Sequence, residues 1–199
     1  MNPRGAQKKI IEPDFLLMAY SNGYFPMADG ASGEIGWYSP DPRAIIDLDA
    51  FHVARSLRLT LRKHPFEILL NRDFECVMRQ CAMREETWIS EEIIQSYAVL
   101  HRVKYAHSVE CWQDNDLVGG LYGVALGGAF FGESMFSRKR DASKVALVHL
   151  VQRLKERGFT LLDTQFITPH LLTFGAVEIP REEYLKRLNV AIQKKCRFE

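Results

Sequence analysis

Long apolar runs, a cysteine framework and an excess of either charge are all missing from this 199-residue chain. Its most apolar stretch, residues 117–131, is broken by five glycines and falls short of the ~18 residues a membrane-spanning helix needs. No bilayer span is expected. Residues 1–10 carry Arg4, Lys8 and Lys9 with no apolar core or cleavage site after them, so no secretory signal is expected either. Lys and Arg total 26 against 25 acids, a net charge of +1, so bulk charge argues neither for nor against nucleic acid. Cys76, Cys81, Cys111 and Cys196 are too few and too scattered for a disulfide scaffold. Cys76 and Cys81 have no second pair to complete a zinc site, and a set drawn from His101, His107 and Cys111 converges poorly on an alternating strand. Structural thiols in a reduced cytoplasm, with no metal, are the expectation.

What is present is ordinary globular composition: 47% hydrophobic and 26% charged residues, which excludes intrinsic disorder and suits one or two domains. Pro13 begins and Gly23 ends a short amphipathic helix. Residues 24–41, rich in glycine and proline, read as a linker whose ordered far end is Trp37-Tyr38-Ser39-Pro40-Asp41-Pro42-Arg43. A domain boundary is placed near Ser39, giving residues 1–39 and 40–199. Asp49 is expected to cap a helix through Phe51, Ala54, Leu57 and Leu61 that Pro65 ends. A strand at 66–70, a helix from Phe74 to Cys81 and a helix capped by Ser90 follow. The period then changes from 3.6 to 2: strands at 107–112 and 117–126 form a hairpin, and Gly127-Gly128 turns the chain into a third strand at 129–136. A long helix stopped by Gly158, a strand at 159–166, a short helix from Thr168-Pro169, a strand at 176–179 and a helix from Pro180 complete the order. This is an α+β or mixed α/β domain. Its hairpin–strand–helix–strand core is similar to acyltransferase folds of the acetyltransferase (GNAT) type, with a mixed sheet and flanking helices.

Several motifs could carry chemistry. The glycines of 119–128 match neither dinucleotide nor phosphate-loop spacing; within strands, glycine more often marks a bulge or a close approach. A coenzyme A enzyme of this fold needs a glycine-rich pyrophosphate loop, yet the junction reads Phe136-Ser137-Arg138-Lys139-Arg140-Asp141-Ala142-Ser143-Lys144. Positive charge stands there instead. Seven basic residues face two acids between 138 and 157, and Arg55, Arg58, Arg62 and Lys63 make a second cluster; both suit a phosphate backbone, although exposed helix faces are commonly charged. In Phe130-Phe131-Gly132-Glu133-Ser134-Met135-Phe136, alternation puts Phe131, Glu133 and Met135 on one face. Asp163 and Gln165 likewise share a face of their strand. Carboxyl groups on buried strands must be paired, hydrogen-bonded or functional.

With Gly132-Glu133-Ser134-Met135-Phe136-Ser137-Arg138, Leu162-Asp163-Thr164-Gln165, Thr87-Trp88-Ile89, Ala106-His107-Ser108-Val109-Glu110, residues 37–43 and Phe174-Gly175 all in order, the chain resembles the leucyl/phenylalanyl-tRNA–protein transferases over roughly residues 13–188. The resemblance implies a small N-terminal domain against an acetyltransferase-like catalytic domain. It implies an enzyme that moves leucine or phenylalanine from aminoacyl-tRNA to acceptor proteins starting with Arg or Lys, marking them for degradation. It further implies a cytoplasmic, monomeric protein without metal or cofactor. By position, Asp163 and Gln165 match the pair for peptide-bond formation and Glu133 an acidic residue at the acceptor. Trp88, Leu121, Phe130, Gly132, Met135 and Met27 match positions around the aminoacyl-adenosine. The tRNA phosphates fall to Arg55, Arg58, Arg62, Lys63, Arg138, Lys139, Arg140 and Lys144. Two departures stand out: Met27 occupies the place of a tryptophan, and thioether packs but stacks less well than indole; and the glycine-rich segment before the first helix is missing, so the N-terminal domain is abbreviated.

An aminoacyl ester is already activated, so no nucleotide hydrolysis or covalent intermediate is needed. On this reading Asp163 polarises Gln165 and helps accept the amine proton, Gln165 holds the reacting groups, and Glu133 holds the acceptor end. Leu121, Phe130 and Met135 would form an apolar pocket that also admits methionine. The rivals are a coenzyme A-dependent N-acyltransferase, disfavoured by the missing glycine loop, and a non-catalytic tRNA- or peptide-binding module.

Overall fold

In the computed structural model, which describes residues 10–30 and 32–199, a seven-stranded sheet separates two layers of helices. The reading of residues 1–9 as carrying no signal lies outside the described residues. Helix α1 (Pro13–Ser21) starts at its proline and ends on Gly23, whose φ of +78° closes the last turn. Strands β1 (Phe25–Ala28) and β2 (Ile35–Tyr38) then pair as an antiparallel hairpin, correcting the linker expected there. Pro26, Gly30, Gly33, Gly36 and Pro40 mask the pair in the sequence, yet Met27, Ile35 and Trp37 pack against the core. Strand β3 (Arg43–Ile46), also missed in the sequence, is buried along its length between two partners.

Helix α2 (Arg55–Arg62) begins six residues after Asp49 and has no side-chain cap. The expected start fails because the chain before it is tied elsewhere: the His52 amide donates to the Phe174 carbonyl, and the Phe51 ring stacks on Phe174 at 5.4 Å. Asp49 pairs with Lys155 at the surface. The remaining elements follow the pattern of the sequence: β4 (Glu67–Leu70), α3 (Phe74–Ala82), α4 (Glu91–Arg102) capped by Ser90, β5 (Ala106–Gln113), β6 (Asp116–Leu126), β7 (Ala129–Ser137), α5 (Ala142–Glu156), β8 (Leu161–Gln165), α6 (Pro169–Leu172), β9 (Ala176–Ile179) and α7 (Arg181–Ile192).

The strands lie in the order β4-β5-β6-β7-β8-β3-β9, and only β7 and β8 run parallel, joined through α5. This is the mixed, acetyltransferase-like sheet the element order implies. One face is covered by α1, α3, α4 and α7, the other by α2, α5 and α6. Glycine sets how close these layers come: a Cβ on Gly119 of β6 would stand 2.4 Å from the Ala142 Cβ at the start of α5. Gly119→Ala should therefore cost about 1–3 kcal/mol by overpacking, read as a lower urea midpoint at unchanged slope.

Candidate active site

Two bulges decide where the site lies. The β7–β8 ladder runs only from Ala129–Leu161 to Phe131–Asp163. Beyond it, Tyr122 pairs with Ser134 and Gly123 with Gly132, leaving Glu133 as an extra residue in β7. In β8, Gln165 and Asp163 pair with consecutive residues of β3, leaving Thr164 extra, and Gln165 takes a φ of +63°. Both bulges fall where the parallel strands part. The β7 bulge also corrects the alternation expected from sequence: Phe131 and Glu133 face α1, but Met135 crosses to the α5 face with Phe130.

Asp163 is fully buried beneath this opening. Its Oδ1 accepts from Arg43 Nε at 2.9 Å and the Gln165 amide at 2.8 Å, and its Oδ2 accepts from Arg43 at 2.6 Å and the Tyr184 hydroxyl at 2.7 Å. Arg43 also donates to the Gly23 carbonyl at 3.0 Å and lies over the rings of Phe25 and Tyr184. Burial works against the guanidinium charge, but Asp163 outweighs it and holds Arg43 above its ordinary pKa. The pair thus joins β3, β8, α7 and the turn after α1.

Glu133 sits above that pair. Its Oε1 accepts from Tyr20 Oη at 2.6 Å and Gln165 Nε2 at 2.9 Å, and Tyr20 is in turn hydrogen-bonded to Tyr97. With the Tyr20 proton committed to the carboxyl, Tyr97 is the donor of the second bond. Burial pushes Glu133 up to about 8, with the Asp163 charge adding to it and the Tyr20 and Gln165 bonds opposing. Its Oε2 has no partner.

A cavity of about 730 Å³ opens over these groups between β7, β8, α5 and the α3–α4 loop. Its wall includes Glu133, Gln165, Trp88, Leu121, Gly132, Met135 and Arg138, seven of the residues singled out in the sequence. Leu147, Leu150, Leu162 and Leu171 extend its apolar end; in the sequence they look like ordinary core positions. Glu133 Oε2, Tyr122 Oη, Thr164 Oγ1 and His170 Nε2 are the buried side-chain atoms without a hydrogen-bond partner among the described residues, and all four belong to residues of this wall. Buried polar atoms are normally satisfied. Their gathering here marks a place built to receive a polar ligand.

Other singled-out residues lie elsewhere. Asp163 is beneath the wall, not in it, and Phe130 is fully buried against Phe198. Met27 packs beside the core, and the Ala28 amide holds the Trp88 carbonyl at 3.0 Å. Glu110 is occupied structurally, accepting from Ser108, Trp112 and the Asp73 amide. His107 bonds Asn71 and the Lys104 carbonyl, His101 the Ala106 carbonyl, and Cys111 the Ala142 carbonyl. Helix α2 meets the 138–144 junction where Thr60 donates to Asp141, and its basic residues Arg55, Arg58 and Arg62, with Lys63 after it, are exposed. Arg140 and Lys144 are paired to Asp141, whereas Arg55, Arg58, Arg62, Lys63, Arg138 and Lys139 have no acidic partner among the described residues. Arg43, Tyr20, Tyr97 and Tyr184 escaped the sequence reading; the only signal was a charged residue within the matched segment 37–43.

A mixed sheet covered by helices on both faces, with a polar-bottomed cavity where its two parallel strands part, is the class of domain this chain forms. Residues 45–189 match the family described as leucyl/phenylalanyl-tRNA protein transferase, and residues 10–41 match its N-terminal domain. Proteins named leucyl/phenylalanyl-tRNA–protein transferase from Gloeobacter violaceus, Herpetosiphon aurantiacus and Rubrobacter xylanophilus are 56%, 56% and 57% identical to it. The matches cover 94%, 96% and 92% of this chain and 97%, 99% and 96% of theirs. Among solved structures, a ribosomal-protein-alanine N-acetyltransferase from Brucella melitensis is 16% identical, with a TM-score of 0.38 over 53% of this chain and 84% of that one. The chain belongs to the leucyl/phenylalanyl-tRNA–protein transferase family.

Two measurements test this geometry. Arg43→Met leaves Asp163 buried and unpaired and should cost about 3–5 kcal/mol in chemical denaturation. Folded Glu133 keeps its proton up to about pH 8, whereas an unfolded glutamate releases it near the ordinary 4.5. The folded state therefore binds more protons between those values, and stability falls as pH rises through them. Glu133→Gln abolishes that titration, so its melting temperature relative to the unsubstituted protein should rise from pH 5 to pH 8.

Proposed function

We propose that this enzyme transfers leucine, phenylalanine or methionine from aminoacyl-tRNA to the α-amine of acceptor proteins beginning with Arg or Lys. It acts as a cytoplasmic monomer, and its products are thereby marked for degradation. Residues 1–39 form the N-terminal domain and 40–199 the catalytic one. The observation that carries the reading is the unpartnered Glu133 Oε2, at the bottom of a cavity that also holds the Gln165 amide and an apolar pocket. A buried carboxyl oxygen without a partner suits an acceptor end that brings N–H groups to it.

The donor side chain enters the apolar end between Leu121, Met135, Leu147 and Leu162, with Phe130 setting its depth from behind. Such a pocket discriminates at only ~1–3 kcal/mol per methylene, which is why leucine, phenylalanine and methionine are all accepted. The adenosine lies toward Trp88 and Gly132, with Met27 supporting the Trp88 loop from the hairpin. The acceptor nitrogen attacks the ester carbonyl carbon, the bond to the ribose oxygen breaks, and the amine proton leaves. An α-amine titrates at about 7.7–8.0, close to Glu133, so one proton is shared between them: with the amine neutral and Glu133 ionised, Glu133 holds the acceptor, receives its proton and passes it to the departing ribose oxygen. Gln165 holds the reacting groups, and Asp163 positions it through the 2.8 Å bond to its amide. Alignment of this kind supplies ~7–11 kcal/mol.

Transfer of labelled leucine from Leu-tRNA to an Arg-starting peptide tests the assignment. Gln165→Ala and Asp163→Asn should each lower the rate about 100-fold or more; activity within a few-fold of the unsubstituted enzyme would end it. The tRNA phosphates lie across Arg55, Arg58, Arg62, Lys63, Arg138, Lys139, Arg140 and Lys144. Affinity for Leu-tRNA should then fall steeply with salt, and Arg55→Gln with Arg58→Gln and Arg62→Gln should flatten the slope by about 1 for each phosphate no longer neutralised.

A further inference from the structure

One side chain at the cavity rim is absorbed by none of these roles. Arg84, in the loop between α3 and α4, donates one guanidinium N–H to the Met135 carbonyl of β7. That bond fixes the group at the edge of the cavity wall while leaving most of its donors uncommitted. Arg138, directly after β7, lines the same wall. Neither guanidinium has a carboxylate within ion-pair distance among the described residues. Arg79, one turn before the end of α3, shows the contrast: Glu75 and Glu91 both pair with it. Trp88 stands four residues after Arg84 on the same loop, half-buried, and also lines the cavity.

Two uncommitted guanidinium groups beside an aromatic ring are the elements of a nucleotide 5′-phosphate site: the ring takes the base, and the planar forks match phosphate oxygens. Arg138 also opens the basic run 138–144, so an anion held there continues onto that run. We propose that Arg84 and Arg138 clamp the phosphate joining the donor's terminal nucleoside to the rest of its chain, and that this clamp sets the ester against Glu133 and Gln165. The proposal rests on the aminoacyl-tRNA reading above and adds to it one phosphate and the residue Arg84.

The test compares two minimal donors, leucyl-adenosine and the same ester carrying a 5′-phosphate, alongside Leu-tRNA. Arg84→Gln should lower kcat/KM about tenfold for the phosphorylated donor, mostly through KM, as loss of a charged hydrogen bond predicts, and should change leucyl-adenosine less than twofold. Arg84→Lys should recover part of the loss, and Arg84→Gln with Arg138→Gln should make the two donors equivalent. Equal losses on both donors would mean that Arg84 only braces β7, and no loss on either would also overturn the clamp. Calorimetric affinities of amide-linked leucyl-adenosine with and without the 5′-phosphate decide the same point without turnover. An unsubstituted enzyme that transfers from none of the donors would instead defeat the aminoacyl-tRNA reading, while the calorimetric comparison would still judge the clamp.

Discussion

The buried pair of Arg43 and Asp163 is the constraint on which the rest of the site depends. Each charge is enclosed by protein, so each is tolerable only because the other is present and the remaining donors and acceptors are used. Asp163 spends its oxygens on Arg43, Tyr184 and the Gln165 amide; Arg43 adds the Gly23 carbonyl. These bonds reach β3, β8, α7 and the turn after α1, which are far apart in the chain. They also hold Gln165 in a left-handed backbone conformation that no regular strand would give it.

Above the pair, the sheet ceases to be a sheet. The parallel ladder ends at Phe131 and Asp163, and a bulge on each strand turns Glu133 and Thr164 out of the hydrogen-bonding pattern. The same distortion opens the cavity and aims polar atoms into it. Glu133 illustrates the compromise. It is buried enough to be held protonated near neutral pH, it is oriented by Tyr20 and Gln165 through one oxygen, and its other oxygen is left open. A residue serving only stability would have had both oxygens satisfied.

The N-terminal hairpin and α1 are part of this chemistry as well as of the fold. Tyr20 of α1 supplies the hydrogen bond that orients Glu133, and the hairpin holds the Trp88 loop through the Ala28 amide. On the opposite side, α2 meets the junction before α5 through the bond from Thr60 to Asp141, and that junction begins at the cavity rim with Arg138.

Much of this was legible in the sequence, because the signals were local. A period of 2 followed by a period of 3.6, with glycine and proline at the breaks, is enough to place β5 to β9 and α3 to α7. The carboxyl groups of Glu133 and Asp163 within apolar strands announced themselves by their cost. Strands β1, β2 and β3 did not, since β1 and β2 sit in a glycine- and proline-rich stretch that reads as a loop and β3 follows directly on Pro40 and Pro42, and Asp49 failed as a cap because Phe51 and His52 are claimed by Phe174. Which oxygen finds which donor was decided only by tertiary structure: that Asp163 lies sealed under Arg43 while Glu133 faces the cavity depends on two bulges and on partners more than a hundred residues away. Residue type and spacing set what each segment can become; the packing of distant segments sets which polar atom is satisfied and which is left for a ligand.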